Sequence, residues 1–373
     1  MPVEHRKMYT IRDVARLANV SISTASGVIN GKPTVKEALR LRVIAAMEAL
    51  DYHPDTVARS LKVRRTKTIG IVVPEITNPF YPEIIQGMED VANQSGYSVM
   101  FCDSGEDRDL EHAHLSMLFS RRVDGVLIAP ADPYGARDRL TRQRIPFVLF
   151  DRVPRGFPGP GVIIDNFEAS RNAARYLIGL GHERNAVVAW LPNLPAMVDR
   201  VDGFRQALQE QHLPISEEYF RWVDFSLESA YQCGLELMRL PEPPTAIFCC
   251  NNRMTLGVMR ALGGLGIPCP ELVSVLGFDD FDWAANITPR LTTVAQPTYE
   301  MGRQAMQLLM QKMAGAKDDL GTEGSHLIVL QCELRVRDST APPCQARVGG
   351  VSPQPTPGPT AENLKGLARE PVP

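Results

Sequence analysis

Polar side chains close six short apolar runs: Asn78 to Tyr81, Asp103, Asp151-Arg152, Asp165-Asn166, Asn251-Asn252 and Asp279-Asp280. One Asp or Asn after a strand-like run is an ordinary helix cap or turn former. Six such clusters at one type of position supply acid, amide and guanidinium groups that can hold a polar ligand. Catalysis would need a reacting group with a partner. The chain has no G-x-S-x-G, no G-x-x-x-x-G-K-[ST], no H-E-x-x-H and no dinucleotide fingerprint after a strand. His112-Ala-His114 is the nearest metal pattern, on a polar helical stretch with no third ligand in sequence range, so no metal is expected. Asp279 and Asp280 are adjacent on an extended run and point to opposite sides, which argues against a carboxylate pair. The chemistry expected is binding, with no cofactor. A catalytic or solute-binding α/β protein is the alternative.

The elements that must carry these groups alternate. Runs at 68–74, 97–103, 125–130, 147–151, 161–165, 185–191, 245–250 and 274–280 read as buried parallel strands. Amphipathic stretches at 83–95, 169–180, 199–212, 228–239 and 253–265 read as the helices between them. Such alternation predicts doubly wound parallel sheets with helices on both faces. Right-handed crossovers then bring the strand C-terminal ends, and the polar clusters, to one edge. Eight or more strands suit two subdomains facing across a cleft.

The first 67 residues differ in charge and pattern. They hold 13 Lys/Arg against 6 Asp/Glu, whereas the rest of the 373 residues holds 27 against 37. A basic head on an acidic body favours a polyanion as partner of the head. Ile11, Val14, Ala15 and Ala18 share one helical face, with Thr10 as N-cap and Asn19 as stop. Ser21 can cap a second helix over Ile22–Asn30, with Ala25, Val28 and Ile29 inward and Ile22, Ser23, Ser26 and Gly27 outward or near its start. Leu39, Val43, Met47 and Leu50 line a third helix over about 36–50. Helix, tight turn, short helix and bracing helix make a helix-turn-helix, whose second helix enters a major groove by its N-terminal end. In HPDTVARSLKVRRTKT (53–68), Val57, Ala58 and Leu61 are ringed by Arg59, Lys62, Arg64, Arg65 and Lys67. A short helix there can press its apolar side into a minor groove.

TIRDVARLANVSISTASGVING, YHPDTVARSLK and TIGIVVPEITNPFY, in that order, closely resemble the LacI/GalR family of bacterial transcription regulators. The resemblance covers about Thr10 to Thr340. It implies an N-terminal all-α helix-turn-helix domain (1–52), a hinge helix and linker (53–67), and a periplasmic-binding-protein-like α/β core of two subdomains (68–340), with crossovers near 166, 296 and 325. It also implies a DNA interface: Ile22 and Ser23 address bases, Thr10, Ser21, Thr24, Ser26 and Asn30 hold phosphates, and the hinge presents Ala58, Arg59, Leu61 and Lys62 with Leu61 as minor-groove lever. Phe80, Tyr81, Arg200, Phe225, Asn251, Asp279 and Gln296 align with the positions that line the family's effector pocket. Three residues depart from the family habit. Gly27 stands where an Arg or His commonly reads a base, Lys36 where a Ser-like cap is common, and Asn252 where Asp is usual.

The expectation is therefore an operator-binding regulator, a repressor, governed by a small molecule held between the core subdomains. A carbohydrate or its phosphate comes first and a nucleobase second. A DNA-binding architectural protein with a vestigial cleft is the other alternative. Residues 341–373 are rich in Pro and Gly without periodicity and read as a disordered tail. That tail lacks the heptads that make some relatives tetramers, so a homodimer is expected. With no apolar run near the roughly 18 to 20 residues of a membrane span, no signal-peptide core and seven scattered Cys, a cytoplasmic chain without a membrane partner is expected.

Overall fold

The structure, a computed structural model, describes residues 9–52, 65–190, 192, 194–315 and 327–344. It opens with three helices, α1 (Ile11–Leu17), α2 (Ile22–Ile29) and α3 (Glu37–Ala49). The Asp13 carboxylate accepts from the backbone N–H and hydroxyl of Thr10 at 2.9 and 2.8 Å, fixing the start of α1. Asn19, at φ 49°, turns the chain out of it. Val14, Ala15, Ala18, Ala25, Val28, Val43 and Ala46 form the core of this head. Four of the seven are alanines, so the three helices can approach closely. Arg42 on α3 donates to the carbonyls of Ala18 and Asn19 at 2.5 and 2.8 Å. It thereby satisfies the exposed C-terminal carbonyls of α1 and braces the turn. Lys36 begins α3 without a side-chain cap.

The α/β body runs β1 (Thr68–Val73), α4 (Phe80–Gln94), β2 (Ser98–Asp103), α5 (Arg108–Ser120), β3 (Gly125–Ile128), α6 (Pro133–Gln143), β4 (Phe147–Phe150) and β5 (Gly161–Ile164). It continues as α7 (Asn166–Gly179), β6 (Asn185–Trp190), α8 (Pro195–Glu210), β7 (Phe220–Val223), α9 (Leu227–Met238), β8 (Ala246–Cys249), α10 (Asn252–Gly264) and β9 (Ser274–Phe278). Then come α11 (Asp282–Asn286), β10 (Thr292–Ala295), α12 (Thr298–Met313), β11 (Leu327–Leu330) and β12 (Glu333–Arg335). The strands form two sheets, ordered β11-β5-β4-β3-β1-β2 and β12-β10-β9-β8-β6-β7. β12 runs antiparallel to β10, whereas β8 and β9, β6 and β8, and β1 and β3 pair in parallel. Strands β3, β6, β8 and β9 are buried along their whole length. That is why they read as unbroken apolar runs rather than as alternation. The chain divides into two compact units, 1–76, 85–148 and 303–322 in one and 77–84, 149–302 and 323–373 in the other.

All eight expected strands are present, within a residue or two at their ends. Two features differ from expectation. HLIVLQCELRVRDST reads as one long strand, but the chain breaks at Gln331-Cys332. β11 pairs in parallel with β5, and β12 pairs with β10 of the other sheet. The last passage between sheets, expected near 325, therefore falls at 331–332. The second concerns the tail expected from 341. Ala341 is anchored: its N–H donates to the Ser274 hydroxyl at 3.0 Å, and its carbonyl lies 2.8 Å from His182 Nε2. Described residues continue to Cys344.

One close approach positions the site. A Cβ on Gly203 of α8 would lie 2.1 Å from the Phe167 carbonyl oxygen of α7, so only glycine lets these helices touch there. Arg200, one turn earlier on α8, is thus brought against Asn166 at the start of α7.

Candidate DNA-reading head and effector site

The start of α2 is a hub of hydroxyls. Ser21 Oγ accepts from the Thr24 N–H at 3.1 Å and lies 2.8 Å from both Ser23 Oγ and Thr24 Oγ1. No acidic residue stands in the first turn of α2. Its unpaired N–H groups and positive dipole end therefore face outward without a counter-charge, an arrangement suited to phosphate. Ile22 is 49% exposed, an apolar side chain of the kind that contacts a thymine methyl. Ser23 beside it is exposed as well. At the other end, Asn30 Nδ2 donates to the Ser26 carbonyl at 2.7 Å and lies 3.2 Å from its hydroxyl, so these two side chains hold each other.

Gly27 differs from expectation: rather than lying outward or near the helix start, it is buried. A Cβ there would sit 3.1 Å from Val35 Cγ2 and 4.0 Å from Lys32 Cδ. The turn after α2 folds back over that position, which helical periodicity in the sequence does not reveal. Ala58, Arg59, Leu61 and Lys62 lie outside the described residues.

The seven effector-site candidates all fall in one compact unit, 77–84 with 149–302 and 323–373. Arg200 is 3% exposed. Its Nε donates to Asn166 Oδ1 at 2.7 Å, its Nη1 to the Cys250 carbonyl at 2.6 Å, and its guanidinium lies 3.5 Å over the Phe278 ring. Asp279, just past β9 at φ 77°, is 8% exposed and accepts from Gln296 Nε2 at 2.6 Å. Burial raises its carboxyl above the usual range, and Asp151 adds to this, while Arg200, Gln296 and the Asn252 backbone pull the other way. Tyr81, itself buried, donates to Asp151 at 3.1 Å and packs edge-on to Phe80 with centroids 5.1 Å apart. Two hydrogen-bonded pairs, Tyr81 with Asp151 and Gln296 with Asp279, are thus coupled through charge, Arg200 favouring the Asp279 carboxylate and Asp151 opposing it.

Phe225 joins this set through residues the sequence reading left out. Its ring lies 4.0 Å from that of Trp190, the last residue of β6, and the Arg253 guanidinium lies 4.4 Å from its centroid. Arg152, 3.8 Å from Asp151, in turn lies 5.7 Å from the Trp190 ring. Asn251 caps α10 by accepting from the Met254 N–H at 2.9 Å. Its Nδ2 and Gln296 Oε1 have no partner among the described residues. One donor and one acceptor thus remain unspent beside a buried guanidinium and a buried acid. Asn252, where the family habit is Asp, donates to Asn78 Oδ1 at 3.1 Å. Asn166, from one of the strand-end polar clusters, is a direct partner of Arg200. Trp190 had a signal, its place at a strand C-terminal end, which the polar clusters overshadowed.

Asp279 and Asp280 part as expected. Asp280 is gripped by Arg337 at 2.6 Å, Arg335 at 2.5 Å and the Thr293 hydroxyl at 2.7 Å. His114 Nε2 lies 3.0 Å from the Asp103 carbonyl oxygen. Among the described residues no three potential metal ligands cluster, and no helix is long and apolar enough to cross a membrane.

Residues 10–55 match the bacterial regulatory proteins of the lacI family, and 174–340 match a periplasmic binding protein-like domain. The HTH-type transcriptional repressor PurR of Vibrio vulnificus (strain CMCP6) is 34% identical over 334 residues, spanning 89% of this chain and 98% of that protein. The lac repressor dimer bound to operator and the anti-inducer ONPF is 27% identical with a TM-score of 0.79, covering 90% of this chain and all of that one. A LacI family regulator from Enterococcus faecium with bound ribose is 29% identical with a TM-score of 0.65, over 74% of this chain and 99% of that one. With a reading head at one end and an α/β body carrying a buried polar site, this chain belongs to the lacI family of bacterial regulatory proteins.

Proposed function

We infer that the chain is a sequence-specific transcriptional repressor whose hold on its operator is set by a small molecule. The observation that carries this is the pair of sites in one chain. An uncountered, hydroxyl-rich helix start exposes Ile22 and Ser23, and a buried Arg200–Asp279–Gln296 network retains unspent hydrogen-bonding atoms. Ile22 and Ser23 read base edges. Ser21 and Thr24 hold phosphates with the α2 dipole, helped by Thr10, Ser26 and Asn30. Ala58, Arg59, Leu61 and Lys62 form the minor-groove element, with 1–52 as head, 53–67 as hinge and the body beyond. Two heads in a homodimer engage half-sites of a near-palindromic operator.

Arg200, Asp279, Asn251, Gln296 and Tyr81 bind the polar edges of the effector, and Phe225 with Trp190 offers it an aromatic face. A hydroxyl-bearing sugar-like ligand suits this mix of acid, amide and guanidinium, in keeping with the ribose bound by the Enterococcus faecium relative. No catalytic step is invoked, so the effector should be recovered unchanged. Effector and operator must alter each other's affinity by one common factor. The test begins by selecting an operator from random duplexes with the full chain. A panel of sugars, sugar phosphates, nucleosides and nucleobases is then screened by thermal shift, and hits are titrated against operator binding. A hit that stabilises the protein, shifts operator affinity and loses both effects in Gln296→Ala supports the reading. Failure to select any operator sequence would refute the DNA-binding half, and a hit from the nucleobase arm would replace the sugar.

A further inference from the structure

The body is acidic overall, yet one edge of it gathers arginines around a groove of about 440 Å³. Arg65, Arg122 and Arg144 line it with Asp124, Phe119 and Met313. Each arginine stands three residues ahead of a strand: Arg65 before β1, Arg122 before β3 and Arg144 before β4. β1 and β3 pair in parallel, and the Val126 N–H of β3 donates to the Pro146 carbonyl just before β4 at 2.9 Å. The three strand starts therefore share one sheet edge. All these residues belong to one compact unit.

The groove has little to balance that charge. Asp124 is the only carboxylate among the described residues that line it. Its oxygens are already occupied, Oδ1 by the Thr66 N–H at 2.9 Å and Oδ2 by the Lys67 N–H at 3.0 Å. Among the described residues, Arg65 donates to the Met313 carbonyl at 3.4 Å, and neither Arg122 nor Arg144 has a carboxylate partner. Arg122 and Arg144 also sit at left-handed backbone positions, φ 56° and 54°, following α5 and α6. Glycine would occupy those positions without steric cost. A helix C-terminus attracts one cation. That accounts for each arginine alone but not for three converging on one groove.

We propose that this groove binds DNA backbone phosphates, giving the body its own electrostatic grip on the operator. The choice of DNA rests on the reading of Leu61 as a minor-groove lever. Leu61 and Arg65 are four positions apart, so their Cα atoms lie within about 14 Å. With Leu61 in the minor groove, the phosphates bordering that groove fall within reach of Arg65 and its two companions. These contacts carry no sequence information. They add affinity and salt dependence and leave base preference untouched.

The test measures operator affinity of the full chain across salt concentrations by fluorescence anisotropy. Arg122→Ala/Arg144→Ala should lower the slope of log affinity against log salt by about 2 to 4 for a dimer, about 0.9 for each phosphate no longer neutralised. Relative affinities for single-base operator variants should not change. Arg122→Lys/Arg144→Lys, which keeps both charges, should retain most of the slope. An unchanged slope in the alanine variant overturns the proposal, as does weaker binding at unchanged slope, which marks a packing role. Inorganic pyrophosphate at constant ionic strength supplies the other arm. If it raises the Tm of the wild type but not of the alanine variant while the slopes coincide, the groove serves free phosphate and DNA is the wrong source. Leu61→Ala reports separately on the underlying reading: if specific binding survives it, the lever fails whatever the arginines do.

Discussion

The head and the effector site solve opposite problems with similar polar residues. In the head, Ser21, Ser23 and Thr24 bond to partners two or three residues away, and Asn30 reaches Ser26 four residues back. In the effector site, Arg200 meets Asn166 and Cys250 across 34 and 50 positions, and Tyr81 meets Asp151 across 70. The head holds its polar groups in solvent, where an unmet hydroxyl costs little because water serves it. The site holds a guanidinium and a carboxyl away from water, where each group's cost depends on the other. Local assembly gives a surface ready for a partner. Assembly at long range gives a buried network whose members depend on one another for their hydrogen bonds.

The sharpest way to break this contrast is Arg200→Met. It removes two hydrogen bonds and the packing on the Phe278 ring, and with them the positive charge that draws the Asp279 carboxyl down. A loss of about 3 kcal/mol in urea unfolding is expected, because the buried acceptors of Asn166 and Cys250 are left without their charged donor. The double variant Arg200→Met/Asp279→Asn should recover part of that loss, because the stranded acid is gone. If the single variant is as stable as wild type, the polar groups are not coupled and the contrast with the head disappears.

Adjacent acids give the next largest effect. Burial pushes Asp280 up, but hydrogen bonds from Arg337, Thr293 and Arg335 outweigh it and hold the carboxyl down at about 2. Asp280 therefore contributes stability that is present above its ordinary value of 3.8 and lost as pH falls through about 2. From 3.8 to about 2 that amounts to about 2 kcal/mol, the loss expected for Asp280→Asn at neutral pH. Asp279 has the opposite sign. Its raised carboxyl favours the folded state below 3.8 and loses that advantage as pH rises through its folded value. Asp279→Asn should thus leave the protein at least as stable at neutral pH and flatten its pH profile, while weakening effector binding. Unfolding of both variants from about pH 3 to neutrality checks the signs. Parallel profiles would contradict the two environments.

This division also governs what the sequence could reveal. Caps, turn residues and the helical spacing of the head are local, so Thr10, Ser21, Asn19 and the core positions Val14, Ala25 and Val43 are legible one window at a time. The strands are legible because burial on both faces leaves unbroken apolar runs. The pairing of β11 and β12 with different sheets is not legible, since they follow one another with two residues between them and only tertiary pairing separates them. In the site, the strand-end polar residues stand out, but their bonding does not. Nothing near Arg200 marks Asn166 as its acceptor, and nothing near Phe225 marks Trp190 as its stacking partner. Gly27 misled for the same reason, because its neighbour Val35 arrives from the turn beyond α2 and not from the helix.

A smaller effect probes the head directly. Ser21→Ala removes the acceptor for the Thr24 N–H and should cost about 1 kcal/mol of local stability. The measurement is hydrogen exchange of the α2 amides in the full chain. Protection should fall in α2 while the amides of β8 and β9 keep theirs. A loss spread across both regions would mean that the head is not a separate local structure.

The smallest effect belongs to Gly27→Ala, where two contributions oppose. Replacing a mid-helix glycine gains roughly 0.5–1 kcal/mol from reduced freedom of the unfolded chain. Against it, the new Cβ would stand 3.1 Å from Val35 Cγ2, close enough that Val35 must give by a few tenths of an ångström. Val35 is partly exposed and at the edge of the head's core, so it can move. The net change should stay within about 0.5 kcal/mol by the same exchange measurement. Adding Val35→Ala relieves the crowding, so the glycine replacement should be more favourable in that background, a coupling that a double-mutant cycle isolates. Gly27→Ala should leave operator base preference unchanged, because its Cβ points at the turn and away from solvent. A changed preference would put position 27 back on the reading face, and additive effects with Val35→Ala would remove the crowding that now explains its burial.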